Sequence, residues 1–298
     1  MIHVDNAIIM AAGMSTRLAP LSYEKPKALL NIKGEILIER QIRQLNDAGI
    51  YDITIVVGYL KEQFEYLREK YGVELIENPV YRERNNHSSL YVVKEKLKNT
   101  YVSCADLYFV HNPYHRIVEH PYYAAVYKKG ITDEWCINTD NTGKIISVEI
   151  GGEDAWVMQG EAFFDRTFSE KMVPLLEQAF NNSQDAGTYW EDLYVANIEE
   201  MVLYKKSTTP EDVVEFDSFE ELRKLIPEYY NSSGCKILEE IASELKCCEK
   251  DIKQLEPIIN RNEVEGIRFL YLKNHYSYDY TTKKIKKDEG DTNYATGK

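Results

Sequence analysis

Ala11-Ala12-Gly13-Met14-Ser15-Thr16-Arg17-Leu18, continuing as Pro20-Leu21 and Lys25-Pro26-Lys27-Ala28-Leu29-Leu30, follows a short apolar, β-favouring run from Ala7 to Met10. Small residues placed directly after a strand let backbone N–H groups close on an anion, since a bulky side chain would hold it off. Ala11, Ala12, Gly13, Met14, Ser15 and Thr16 therefore read as a cradle for a polyphosphate. Beyond the cradle, Arg17 offers a fork of donors suited to a departing pyrophosphate, and Lys27 offers a point charge for a phosphoryl group under attack. A single glycine in a strand-to-loop turn is an ordinary feature; the specificity lies in the whole string.

Outward from this loop, strand and helix patterns alternate. Ile38, Ile42 and Leu45 recur at helical spacing between Ile36 and Ala48, and Gly49 ends the run. Asp52 to Val57 reads as a strand, Leu60 to Tyr71 as a helix, Val73 to Ile76 as a strand, Ser88 to Leu97 as a helix and Tyr101 to Ala105 as a strand. Strands follow at Tyr122 to Tyr127 and Ile145 to Ile150, helices at Phe168 to Phe180 and Tyr189 to Glu200, a strand at Val213 to Phe216 and a helix at Phe219 to Leu225. Such alternation predicts βαβ units on a mixed, mostly parallel sheet in an α/β fold, with ligands at the carboxyl ends of the strands.

The opening string resembles the signature of the nucleotidyltransferase superfamily that activates sugar phosphates and polar head groups, in which a strand is followed by AAG-x-G-[ST]-R-L-x-P-L and then PKxLL. Ser15 stands where that pattern has a second glycine. The resemblance covers about residues 5 to 226 and implies a Rossmann-like nucleotidyltransferase fold. It implies in-line attack of an acceptor phosphate on the α-phosphate of an NTP, with Lys27 catalytic and two carboxylates holding Mg²⁺. Asp106 and Asp217 each follow a predicted strand, where hard oxygen ligands suit that ion. An aspartate after a strand is often a turn former or helix cap, and Asp217 before Ser218-Phe219-Glu220-Glu221 fits that reading too. Glu215 is a weaker third candidate.

Two further stretches sharpen the resemblance to bacterial phosphocholine cytidylyltransferases and related 2-aminoethylphosphonate enzymes: a GYLKEQF-like run, here Gly58 to Phe64, and an NN-x-x-SLY run, here Asn85 to Tyr91. Gly58, Asn78, Asn85, Ser88, Ser89 and Ala105 join the cradle residues as expected nucleotide contacts. Glu134, Trp135, Tyr189, Trp190, Glu191 and Asp192 combine aromatic faces with carboxylates, a pairing suited to a cationic amine; core packing is the plainer reading of the two tryptophans. Chains resembling phosphocholine enzymes carry aromatic residues within NN-x-x-SLY, whereas this one has His87 and Ser88 there. That difference favours 2-aminoethylphosphonate as the acceptor of CMP from CTP, hence phosphonate head-group activation, with phosphocholine as the alternative. A sugar-1-phosphate nucleotidyltransferase and a non-catalytic nucleotide-binding module are the lesser readings.

Bulk properties set the boundaries. The chain has 298 residues, enough for a catalytic domain at residues 1–228 and a small extension at 235–282, joined by the linker-like Pro227 to Gly234. Cys235 to Leu245 reads as an amphipathic helix, Ile267 to Tyr280 as a hairpin turning near Lys273-Asn274, and residues 283–298 as a disordered tail. For the extension, a docking module, a homodimer contact and the vestige of a second enzyme are all open. A formal charge of −13 argues against nucleic acid as partner. No apolar run approaches the roughly 18 residues of a membrane span, and the amino terminus lacks the basic region of a secretion signal, so a soluble, cytoplasmic protein is expected. Five cysteines show neither disulfide nor zinc spacing, and Cys247-Cys248 is expected to pack on a helix.

Overall fold

The computed structural model describes residues 1–260 and 263–288 and divides into two compact units. The first comprises Met1–Gly13 and Ala28–Glu215; the second comprises Met14–Lys27 and Phe216–Lys298.

The first unit is built on a seven-stranded sheet. Its elements are β1 (Asn6–Ala11), α1 (Leu37–Asp47), β2 (Ile53–Val57), α2 (Tyr66–Tyr71), β3 (Glu74–Glu77), α3 (His87–Tyr91), β4 (Thr100–Cys104), β5 (Tyr122–Thr139), β6 (Ile145–Phe164), α4 (Arg166–Asn181), α5 (Trp190–Ala196) and β7 (Tyr204–Thr208). The strand order is β7-β5-β6-β4-β1-β2-β3, and only β6 runs against its neighbours. This is the expected mixed, mostly parallel α/β sheet. β1 lies near its centre and is covered on both faces, so its sequence is a continuous apolar run without alternation. Ala7 and Ile9 pack with Ile38, Ile42 and Leu45 of α1, while Ile8 packs with Phe168, Met172 and Leu176 of α4 and with Trp190 and Tyr194 of α5. Each fully buried isoleucine contributes about 1.5–3 kcal/mol, which fixes the strand that leads into the small-residue loop.

Three expectations change here. The strands expected at Tyr122 to Tyr127 and Ile145 to Ile150 are only the opening stretches of two arms of 18 and 20 residues, paired antiparallel with several register shifts. Val213–Val214 is a two-residue strand that pairs with Tyr108–Phe109 outside the main sheet; the sheet's edge is instead Tyr204–Thr208. The helices expected at Leu60 to Tyr71 and Ser88 to Leu97 are each broken into a 3₁₀ turn and a short α-helix.

The second unit gathers α6 (Phe219–Leu225), α7 (Glu228–Asn231), α8 (Lys236–Leu245) and a four-stranded antiparallel sheet, β8 (Lys253–Asn260), β9 (Glu263–Tyr271), β10 (Asn274–Asp279) and β11 (Lys284–Lys287), together with the loop Met14–Lys27. Ile237, Leu238, Ile241 and Ala242 form the buried stripe of α8. The fully buried Arg223 guanidinium ties the unit together. It donates to the carbonyls of Ile252 (2.7 Å), Glu249 (3.1 Å) and Tyr229 (3.4 Å) and lies over the Phe219 ring at 4.5 Å.

The expected hairpin is present, with its turn at Leu272-Lys273, but as part of a larger sheet. Lys284–Lys287 is a strand paired with β10, so the disorder expected from residue 283 does not hold there; residues 289–298 lie outside the described residues. The linker-like Pro227 to Gly234 contains α7, and the second unit begins at Phe216, earlier than residue 235. Cys247 and Cys248 follow α8 and do not pack within it, and Cys248 is exposed; all five cysteines are free. No helix among the described residues is long and apolar enough to cross a membrane.

Candidate active site

In the first unit the loop leaves β1 through Ala11, Ala12 and Gly13. Ala11 and Ala12 are buried, and Tyr59 N donates to the Ala12 carbonyl at 3.1 Å. Gly58 is required by close approach: a Cβ there would meet the Tyr81 ring at 2.8 Å and the Ala12 carbonyl at 2.9 Å. Gly13 differs, since a Cβ would meet no protein atom within 4 Å. What its bareness spares is the surface of the loop rather than a neighbouring side chain.

Asp106 stands just beyond β4, and its backbone is pinned on both sides. Ala105 N donates to the Met10 carbonyl at 3.0 Å, while Gln41 Nε2 of α1 donates to the carbonyls of Cys104 (3.0 Å) and Leu107 (2.8 Å). Arg40 and Gln44 hold the same segment further along through the Phe109 and Val110 carbonyls. These three residues were not singled out in the sequence. The available signal was three long polar side chains interleaved with Ile38, Ile42 and Leu45, of which Gln41 and Gln44 are buried. The weaker candidate Glu215 enters the site: its carboxylate and that of Asp106 come within 4.8 Å of each other. Hard oxygen donors at this spacing fit a divalent cation such as Mg²⁺.

In the second unit, Ser15 adopts a left-handed conformation, φ 47° and ψ 47°. That explains the glycine in the family pattern, because a Cβ in this region costs roughly 1–2 kcal/mol. Leu18 N and Ala19 N then donate to the carbonyls of Ser15 (2.9 Å) and Thr16 (3.0 Å), closing a 3₁₀ turn that carries Arg17. Arg17 Nη2 and Lys27 Nζ both approach Asp217 Oδ1, at 3.2 and 3.5 Å. Lys27 is 5% exposed and lies 4.8 Å from the Phe216 ring centre. The cap of α6 is Ser218, whose hydroxyl accepts from Glu221 N, so Asp217 is not the helix cap.

The NN-x-x-SLY stretch and the Tyr189–Asp192 segment meet in the first unit. Asn85 N donates to the Ala186 carbonyl (2.8 Å) and Asn85 Nδ2 to that of Gly187 (3.1 Å). Asn86 Oδ1 accepts from Trp190 N (2.8 Å), and its Nδ2 donates to Glu191 (2.9 Å). Asn78, Ser88 and Ser89 are buried and bonded together, with Asn78 Nδ2 donating to both hydroxyls. His87 is fully buried, its Nδ1 2.7 Å from the Thr188 carbonyl, and burial holds its basicity below the usual range.

The six expected acceptor residues divide. Trp190, 1% exposed, stacks on Tyr123 and meets Phe164 edge-on, so its ring belongs to the core. Asp192 accepts from Tyr189 N at 2.7 Å at the start of α5. Glu191 is buried, with its oxygens taken by Asn86 Nδ2 and Tyr123 OH (3.1 Å). Trp135 and Tyr189 form an edge-to-face pair at 6.1 Å, and Glu134, the residue before Trp135 in β5, is exposed.

Burial pushes the Glu191 carboxyl up to about 7 against hydrogen bonds that favour its ionised form. The folded state therefore binds its proton more tightly than the unfolded chain. Below pH 4.5 the group is neutral in both states; between 4.5 and about 7 only the unfolded chain ionises, so its contribution to stability is lost across that window. Glu191→Gln is expected to flatten the stability profile by up to roughly 3 kcal/mol over this range, as read by urea denaturation from pH 4.5 to 8. An unchanged slope would show that Glu191 is ionised in the fold.

The first unit has the architecture of a nucleotidyltransferase, and residues 7–132 match the MobA-like NTP transferase domain family. A choline-phosphate cytidylyltransferase of Streptococcus pneumoniae is 39% identical over 219 residues, 74% of this chain and 96% of its own length. A 2-aminoethylphosphonate cytidylyltransferase of Lancefieldella rimae is 36% identical over 223 residues, 73% of this chain and 90% of its own length. The solved structure of the CTP:phosphocholine cytidylyltransferase from Streptococcus pneumoniae matches with a TM-score of 0.72, covering 75% of this chain and 98% of that one. This chain belongs to the cytidylyltransferase family that contains the choline-phosphate and 2-aminoethylphosphonate enzymes.

Proposed function

We propose that the enzyme transfers CMP from CTP to a small head group bearing both an ammonium and a phosphate or phosphonate, releasing pyrophosphate. The observation that carries the acceptor assignment is the aromatic pair Trp135–Tyr189. Aromatic faces attract a cation by about 0.5–2 kcal/mol, most strongly when water is excluded.

His87 and Ser88 no longer separate the two acceptors, because both side chains are buried and bonded within the protein. Glu191 and Asp192 are likewise engaged internally, leaving few acceptors for the three N–H donors of a primary ammonium. A quaternary ammonium needs none. Phosphocholine is thus the first reading, and the 39% identity to a choline-phosphate enzyme points the same way. 2-Aminoethylphosphonate is the second, supported by the 36% relative.

In this reading the backbone from Ala11 to Thr16 receives the triphosphate, with Gly58, Asn78, Asn85, Ser88, Ser89 and Ala105 shaping the nucleotide pocket. Asp106 with Glu215 would hold Mg²⁺, which when bound neutralises charge on the triphosphate; Asp217, the other aspartate expected from the sequence, pairs with Arg17 and Lys27 in its own unit. Lys27 stabilises the charge that develops on the α-phosphate oxygens as the acceptor oxygen forms its bond to phosphorus. Arg17 receives the pyrophosphate as the opposite P–O bond breaks. The attacking oxygen is already ionised near neutral pH, so catalysis rests on positioning and charge stabilisation without a general base.

The test is pyrophosphate release from a panel of NTPs with phosphocholine, 2-aminoethylphosphonate, phosphoethanolamine and hexose 1-phosphates. CTP with an ammonium-bearing acceptor is the expected pair; a preference for UTP or dTTP with a hexose phosphate would overturn the assignment. Trp135→Ala is expected to raise the acceptor KM about tenfold, the equivalent of one cation–π contact, while the KM for CTP stays put. Equal effects on both constants would remove Trp135 from the acceptor pocket.

A further inference from the structure

Among the contacts that the loop carrying Arg17 and Lys27 makes within the second unit, one reaches the start of α8 through the Glu24 side chain. A helix amino terminus leaves its first N–H groups without partners inside the helix, and the residue before α8, Cys235, supplies no side-chain cap. Glu24, 212 positions earlier than Lys236, supplies it instead. One carboxylate oxygen accepts from Lys236 N at 3.0 Å, and the other accepts from Ile237 N at 2.9 Å and faces the buried Cys235 thiol at 3.6 Å. The charge sits where the helix dipole favours an anion.

A second contact runs beside it. The Tyr23 ring packs on Tyr280 with centres 4.2 Å apart, and the Tyr278 hydroxyl in turn donates to Glu240 of α8 at 2.6 Å. Residues 23 and 24 are thus held by the helix and the sheet of the module, while Lys27 lies three residues further on and Arg17 on the preceding turn of the same loop.

We infer that Glu24 is a positioning residue for the nucleotide: by seating on the amino terminus of α8 it fixes the conformation in which the Met14–Lys27 loop presents Arg17 and Lys27, and it makes the C-terminal module part of the CTP-binding apparatus. This rests on the reading above that the loop binds the triphosphate. Binding and capping are then coupled in both directions, as any linkage between two sites must be.

Two measurements on the full chain test it. Glu24→Ala is expected to raise the KM for CTP by about tenfold, within the usual range for one coupling contact, with little change in the acceptor KM; Glu24→Gln, which keeps an acceptor oxygen, should recover part of the loss. Hydrogen exchange gives the reciprocal readout: CTP with Mg²⁺ should slow exchange of the Lys236 and Ile237 amides in the wild type but not in Glu24→Ala, a response that a purely structural contact would not show. Protection within residues 14–27 without protection at Lys236 and Ile237 would overturn the inference and leave the functional reading standing. An unchanged KM for CTP in a folded Glu24→Ala would do the same. CTP that protects nothing and supports no turnover would overturn both.

Discussion

Lys27→Ala is expected to lower turnover by at least 100-fold, about 2.7 kcal/mol, the scale of one lost charge contact to the transition state. Lys27 is a nearly buried cation, 3.5 Å from Asp217 and packed over the Phe216 ring. Its ammonium is therefore held in place before substrate arrives and needs little reorganisation during reaction. A contact made only as the α-phosphorus accepts its fifth oxygen lowers kcat and kcat/KM together, whereas one that merely grips the triphosphate raises KM. Single-turnover release of pyrophosphate at saturating CTP separates the two. If kcat stays within threefold of wild type, Lys27 is a binding residue and another group stabilises the phosphoryl centre.

Asp106→Asn should show a different pattern: turnover falls by about 100-fold or more, on the scale of losing one transition-state charge contact, and more Mg²⁺ is needed to reach half the maximal rate. The Asp106 and Glu215 carboxylates approach within 4.8 Å, a spacing that a shared divalent cation can bridge. The backbone should stay in place, since Gln41 grips the carbonyls on either side of residue 106 and not its side chain. Turnover measured against Mg²⁺ concentration, Mn²⁺ binding and thermal melting would be read together. Full activity with ordinary metal dependence would remove Asp106 from the metal site; a lower melting temperature would show that the carboxylate serves the fold.

Much of the first unit is legible because its signals are local. β1 is apolar on both faces, α1 repeats every three to four residues, and Asp106 follows a strand whose end is plain in the sequence. The arms of β5 and β6 escape notice because much of both is wet: Lys128, Lys129 and Gly130 are exposed, as are Ile131 and Ile150, and no in–out alternation survives. Trp190 misleads for a subtler reason. A neighbouring carboxylate usually argues against burial, but here Asn86 and Tyr123 satisfy Glu191 and burial raises its pKa, so the acid goes into the core with the indole. The shared unit of residues 14–27 and 216–288 depends on contacts across some 200 residues of chain, such as Glu24 with α8, which carry no periodic or compositional trace.

Arg223 sets the terms on which this protein can be dissected. It occurs on α6 and finds two of its carbonyl acceptors at Glu249 and Ile252. A chain shortened to end before those residues would leave a guanidinium with unmet donors in an apolar interior, a defect of roughly 3–5 kcal/mol on the scale of a whole domain's margin. Loss of activity after such a deletion would report misfolding and proteolysis in the cell, and would say nothing about what the carboxyl-terminal residues do. Single substitutions are the sounder instrument, and fusion partners belong after the last strand.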